Sequence, residues 1–289
     1  MQLYSVTHGY FKLDGGAMFG VVPKSIWNKL IPADDNNMCN WALRSLLIED
    51  GNRLILVDTG MGNKQDAKFF SHYYLNGNDT MDSSLQKHGF TRNDITDVFH
   101  THLHFDHCGG TILREGSALV PAFKNAVCWS NAVHWNWATH PNDREKASFL
   151  KENILPMEEA GILKFVESPA AHFNVEEQLG TTPFTQNISI RFVDGHTKAM
   201  MLPQIKYKGR TIVYMADLLP SAAHIPLPYI MGYDMFPMTT LAEKKSFLNE
   251  AAHNNYILFF EHDAHTECCT VKLTEKGIRL NEIITLHNI

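Results

Sequence analysis

Residues 99–110 read FHTHLHFDHCGG, and this stretch limits the fold more than any other. His102, His104, Asp106 and His107 fall within six positions, behind an apolar run and ahead of two glycines. Imidazole and carboxylate are the usual nitrogen and oxygen ligands of zinc, manganese and iron(II). In an extended segment, residues two apart point the same way, so His102 and His104 can grip one metal together. Asp106 and His107 follow where the chain must bend, which aims them at a second point. Gly109 and Gly110 then permit close backbone approach or a positive φ. The motif suits two metals better than one.

A metal needs four or more ligands, so the rest must come from elsewhere. The chain repeats one event: a strand-like run ends, and a His or Asp follows. A hairpin of Arg44–Ile48 and Arg53–Val57 delivers Asp58. A strand over Ile95–Phe99 delivers the motif. Ile188–Val193 delivers His196, Thr211–Met215 delivers Asp217, and Tyr256–Phe260 delivers His262. His196 completes the His102/His104 metal, His262 completes the Asp106/His107 metal, and Asp217 has two oxygens with which to bridge both. The spacing also predicts a strand over Ala126–Trp129 and helices over Asp79–His88 and, in pieces, Asp143–Ala160. Ser130 is placed to cap a helix through Ala138. Thr240 and Glu243 have the spacing of a capping box that opens a helix to about Asn254. A hairpin of Cys269–Leu273 and Ile278–Ile284 closes the chain. Alternating strands and helices give an α/β class, with ligands at strand C-termini. His8, His72, His88, His134, His140, His172, His253 and His287 are read as structural or surface residues.

Composition excludes some functions. The formal net charge of −6, without a block of like charge, gives no electrostatic case for nucleic acid or an anionic membrane. No apolar run approaches the roughly 18–20 residues of a membrane span. No secretory signal is seen, and the five cysteines form no CxxC pair, so the expected compartment is a reduced cytoplasm and no disulfide framework is expected.

THLHFDHCGG resembles the metal-binding motif of the metallo-β-lactamase superfamily. VDTG at 57–60, DGHT at 194–197, MADLLP at 215–220 and FEHDAH at 260–265 follow in that family's order. The resemblance implies a four-layer αβ/βα sandwich with two mixed sheets flanked by helices. It implies one domain over 1–289, with an N-terminal half to about 180 and a C-terminal half from about 181. It assigns His102, His104 and His196 to one metal, Asp106, His107 and His262 to the other, and Asp217 to the bridge. Asp58 would support the histidines from behind. The cofactor implied is two divalent ions, zinc first, with manganese, cobalt or iron as alternatives.

A narrower resemblance covers LDGGAMFGVVPKSIWNK at 13–29, YDMFPMTT at 233–240 and HDA at 262–264. These look like the branch that holds quorum-quenching acyl-homoserine-lactone lactonases and methyl parathion hydrolases. The implied activity is hydrolysis of an ester-like bond, a lactone first, by a metal-bridging hydroxide, with Asp106 handling the proton. A phosphotriesterase or arylesterase, a β-lactamase and an iron-dependent redox enzyme are the alternatives. The implied partner is a small-molecule substrate, with a homodimer as the assembly. Two departures stand out: GHTKAMM lacks the second Pro-Gly-His of many relatives, and Pro220 stands where some lactonases carry a substrate-contacting tyrosine. His224, Tyr229 and Tyr233 are candidates to replace that tyrosine. Met18, Phe19, Trp27, Trp135 and Trp137 are candidates for an apolar wall, and Tyr229–Phe236 for a cover over the cleft.

Overall fold

A computed structural model describes residues 1–168 and 181–289. His172 and the proposed boundary near 180 lie outside the described residues. Two sheets dominate. The first runs, in spatial order, Gln2–Asp14, Met38–Asp50, Arg53–Val57, Asp97–Phe99, Val127–Ser130 and Leu163–Phe165. Its first three strands pair antiparallel and the later ones parallel. The second runs Gly277–Ile284, Cys268–Thr274, Ile257–Phe259, Arg210–Tyr214, Met200–Tyr207, Ile188–Val193 and Thr181–Pro183. There only Arg210–Tyr214 and Ile257–Phe259 pair parallel.

The packing explains the layers. Ile55, Val57 and Phe99 from the first sheet share one cluster with Ile190, Phe192 and Val213 from the second. Val98 and Leu56 turn the other way, onto Leu85 of the helix Met81–Lys87 and Ile154 and Met157 of the helix Lys151–Glu159. Phe247, Leu248 and Ala251, from the helix Pro237–Asn254, pack on the second sheet. The result is helix, sheet, sheet, helix. Burying apolar faces on both sides of each sheet is what lets short parallel strands persist.

Most expected elements are present, with ends shifted by a few residues. Three corrections have clear causes. Asn131, not Ser130, caps the helix Ala132–Thr139, its side chain accepting from His134 N at 2.8 Å. Residues 143–148 form turns, and the helix starts at Lys151. Thr240 and Glu243 do not form a capping box: Pro237 opens that helix, and Glu243 accepts from the backbone nitrogens of Asp194 (2.7 Å) and Gly195 (3.0 Å) instead. Glu243 thereby fixes the loop that carries His196.

All five cysteines are free and buried, with Cys268 and Cys269 in a strand. No helix among the described residues is long and apolar enough to cross a membrane.

Candidate metal centre

The strand ends after Phe99, Val193, Tyr214 and Phe259 bring their His and Asp residues together, and the one after Val57 brings Asp58 behind them. His104 is still extended (φ −64°, ψ 153°), and the helix Phe105–Cys108 begins directly after it. That bend turns Asp106 and His107 away from His102 and His104. A Cβ on Gly109 or Gly110 would collide with the carbonyl oxygens of Met61 or Thr59, so the two glycines serve close approach. Asp58 follows Val57 with φ +57°, and Ala216 precedes Asp217 with φ +41°. Left-handed non-glycine residues carry strain that the surrounding structure must hold. At Asp58 the hold is visible: its N donates to Phe99 O at 2.9 Å, and Thr59 N donates to His107 O at 2.7 Å.

Each imidazole presents one nitrogen inward and is tied from behind by the other. Thr101 donates its hydroxyl to Asp58 Oδ2 at 2.7 Å, so Thr101 Oγ1 accepts from His102 Nδ1 at 3.0 Å. His104 Nε2 donates to Glu145 at 2.9 Å. His107 Nδ1 faces Asp58 at 3.1 Å and Glu261 at 3.0 Å. His196 Nδ1 donates to Asp234 at 2.9 Å, and His262 Nδ1 to Ala42 O at 2.9 Å. These ties fix the tautomers, leaving His104 Nδ1 and the Nε2 of the other four as free lone pairs.

The inward atoms crowd together. His104 Nδ1 lies 3.0 Å from His102 Nε2 and 3.2 Å from His196 Nε2. His107 Nε2 lies 3.2 Å from His262 Nε2. Asp217 spans the two groups, with Oδ2 at 3.1 Å from His196 Nε2 and Oδ1 at 3.3 Å from His262 Nε2. Asp106 Oδ2 is 3.8 Å from both His107 and His262. Ligand atoms of His102, His104, His196 and Asp217 lie within 4.8 Å of one another, and so do those of Asp106, His107 and His262.

The donor set fits two cations. Facing lone pairs repel unless something positive stands between them. The carboxylates raise the same demand. Burial disfavours a charged His196, yet Asp217 and Asp234 push its pKa up to about 10. Burial likewise opposes a charged His262, and Asp217 and Glu261 push it up to about 9. A metal cation meets that demand with every imidazole neutral. Cys108 is no competing ligand: its thiol donates to Leu103 O at 3.3 Å, and burial pushes its pKa up to about 12.

His104, Asp106, His196, Asp217 and His262 form the floor of a cleft of about 350 Å³, with His102 and His107 fully buried. Leu13, Met18, Phe105, Met231 and Met235 give it an apolar wall, and Tyr73, Tyr233 and Arg144 add polar groups. The segment Tyr229–Phe236 contributes Met231, Gly232, Tyr233 and Met235. Of the expected pocket residues, Met18 and Tyr233 line the cleft. Phe19, Trp27, His224 and Tyr229 do not. Phe19 stacks between Trp27 (5.2 Å between ring centroids) and His224 (4.6 Å), in a fully buried aromatic core. His224 is spent on Ser221 (2.7 Å) and Met18 O (2.9 Å). Tyr229 packs on the edge of Phe19. Trp135 and Trp137 lean on the outer core cluster, where Trp137 Nε1 donates to Glu145 at 2.6 Å.

Sequence reasoning missed Glu145, Asp234, Glu261 and Thr101, which orient the histidines, and also Tyr73 and Arg144. Thr101 and Glu261 each adjoin a ligand. Asp234 lies inside the YDMFPMTT stretch, whose resemblance assigns this residue no role, and Glu145 carried no local signal. His134, read as structural, accepts from Leu103 N at 2.9 Å and donates to Lys198 O at 2.6 Å, tying the first ligand loop to the one bearing His196.

A family model described as the metallo-beta-lactamase superfamily matches residues 44–262. An N-acyl homoserine lactonase of Bacillus thuringiensis is 22% identical over 279 residues, covering 92% of this chain and 94% of the lactonase. The fold is shared with a probable metal-dependent hydrolase from Staphylococcus aureus (TM-score 0.83, 26% identity, 98% of both chains). It is also shared with AidC, a dizinc quorum-quenching lactonase solved with a product (TM-score 0.75, 22% identity, 98% of this chain and 95% of that one).

Proposed function

We propose that this chain, which belongs to the metallo-beta-lactamase superfamily and is a metal-dependent hydrolase, opens ester-like bonds by a dinuclear mechanism, lactones first. The observation that carries the reading is the shared floor: two sets of inward ligand atoms, joined by Asp217, under an apolar cleft. His102, His104 and His196 would hold one ion, Asp106, His107 and His262 the other, and Asp217 both. Zinc is the ion we propose, since imidazole with carboxylate suits it. A bound pair of divalent ions supplies an acidified water as nucleophile and Lewis-acid polarisation of the carbonyl.

The chain supplies the rest. Asp106 opens onto the cleft, where its carboxylate can take a proton from the attacking water and return it to the leaving alkoxide. A lactone gives one hydroxy acid, and an open ester gives an alcohol and a carboxylic acid; the acid ionises at neutral pH. Asp58, Glu145, Asp234 and Glu261 keep the imidazoles aimed. Although burial opposes it, hydrogen bonds from His104 and Trp137 hold Glu145 down to about 2, so it stays a carboxylate and an acceptor. Tyr233 takes the place of the tyrosine that Pro220 displaces, with Tyr73 beside it. Burial and the Asp106 charge push the Tyr73 phenol up to about 12, and burial with neighbouring acids raises Tyr233. Both phenols therefore keep their protons and can donate to an oxyanion. The methionines, Leu13 and Phe105 would take an acyl chain.

The same reading keeps 1–289 as one domain, because the floor draws ligands from both halves. It places the enzyme in the cytoplasm, where five buried thiols stay reduced. The exposed apolar residues Val21, Ile26 and Leu30 support a homodimer.

The test is proton release from short- and long-chain acyl-homoserine lactones in weak buffer, with metal-loaded protein and a His104→Ala control. Fast, His104-dependent release is the expected result. No release from protein holding two metals would refute the lactonase assignment and bring aryl phosphotriesters and simple esters forward.

A further inference from the structure

We propose that Arg144 recognises a carboxylate carried by the substrate away from its scissile bond, so that acid-bearing lactones or esters are preferred over neutral ones. This rests on the hydrolase reading and names what the wall of the same cleft selects. Arg144 lies in the turns at 143–148, is exposed, and lines the cleft. Among the described residues it is the one cation in that lining apart from the histidines of the floor. Its Nη2 donates to the carbonyl of Gly232, another lining residue, which fixes the guanidinium and uses one of its five N–H donors.

Among the described residues no carboxylate pairs with it. Arg53, Arg92 and Arg191 are each held by an acid, whereas Arg44, Arg114, Arg210 and Arg279 donate to carbonyls as Arg144 does; of these, Arg144 alone lines the cleft. The acids beside Arg144 in sequence are engaged elsewhere: Asp143 with Lys146 at 2.9 Å, and Glu145 with His104 and Trp137. A guanidinium fork with free donors matches the two oxygens of a carboxylate. The lining adds no lysine to it, so a carboxylate fits better than a phosphate dianion. The same lining holds Leu13, Met18, Phe105, Met231 and Met235, beside the polar Tyr73, Glu145, Ser148 and Tyr233. The substrate implied has an ester carbonyl at the floor, an apolar spacer and a carboxylate at the mouth.

The experiment compares homoserine lactones N-acylated with hexanoyl or with adipoyl, its acid-bearing counterpart, and shorter and longer pairs to cover reach. Metal-loaded wild type, Arg144→Gln, Arg144→Lys and Arg144→Glu are assayed for kcat and KM. Wild type should favour the best acid by about tenfold or more in kcat/KM, the scale of a charge-assisted hydrogen bond. Arg144→Gln should erase that ratio, mainly through KM. Arg144→Lys should keep part of it, and Arg144→Glu should reverse it. No preference for acids at any length, or an Arg144→Gln loss equal for both series, would overturn the proposal and leave Arg144 a clasp on Gly232. If wild type turns over neither series, the lactonase reading fails instead. Calorimetric binding of adipate against hexanoate then decides the Arg144 question alone: tighter adipate binding lost in Arg144→Gln supports it, and equal affinities overturn it.

Discussion

At the floor of the cleft every imidazole is held from behind, by Thr101, Glu145, Asp58 with Glu261, Asp234 or Ala42 O. At the wall the polar groups are held loosely. Tyr233 is 37% exposed, and Arg144 has one carbonyl partner. The two regions face the same 350 Å³ yet obey different constraints. Floor residues are buried, so each polar atom must be satisfied and a change leaves an orphan. Arg144 and Tyr233 meet water, so a change at either costs little stability and can retune what binds.

That contrast orders the expected effects. His104→Ala should abolish turnover, by about 10³-fold or more, and remove metal, read by rate and by elemental analysis. Full turnover in a mutant verified to hold metal would break the contrast at its strongest point. Asp234→Asn, one step behind His196, should weaken metal affinity or activity by about 10–100-fold, measured by competition with a chelator. Gly195→Ala tests the support beneath the same loop. Its Cβ would collide with the backbone nitrogen and hydroxyl of Thr240, so thermal unfolding should show about 1–3 kcal/mol of lost stability. At the wall, Tyr233→Phe should lower kcat by only about 2–10-fold, the worth of one hydrogen bond, with metal content unchanged. The smallest effect belongs to Cys108→Ser, which keeps a donor toward Leu103 O; a large loss of metal there would show that a thiolate ligand was overlooked.

The same contrast explains what could be read from sequence. Ligands at strand ends were legible because strand periodicity and a short motif place them. Of their supporting acids, Asp58 follows a strand and Glu261 adjoins a ligand, whereas Glu145 sits among turns and Asp234 in an irregular loop, where no periodicity points to them. Glu243 and Thr240 showed a true spacing with a different use. The strand Gln2–Asp14 escaped because its register slips between Thr7 and Tyr10, where Gly9 has φ +142°, so alternation breaks midway. Met200–Tyr207 escaped because Pro203 sits inside it, where a proline argues against a central strand. For the wall, composition misleads: Phe19 and Trp27 are as aromatic as any pocket residue, and only packing shows them to be core.

The most direct test of the account is a metal titration. Metal-free protein is given zinc in steps, and lactone hydrolysis and bound zinc are followed together. Activity should be absent at the start and reach its plateau at two zinc ions per chain. A plateau at one ion, or full activity without metal, would contradict a shared floor built for two.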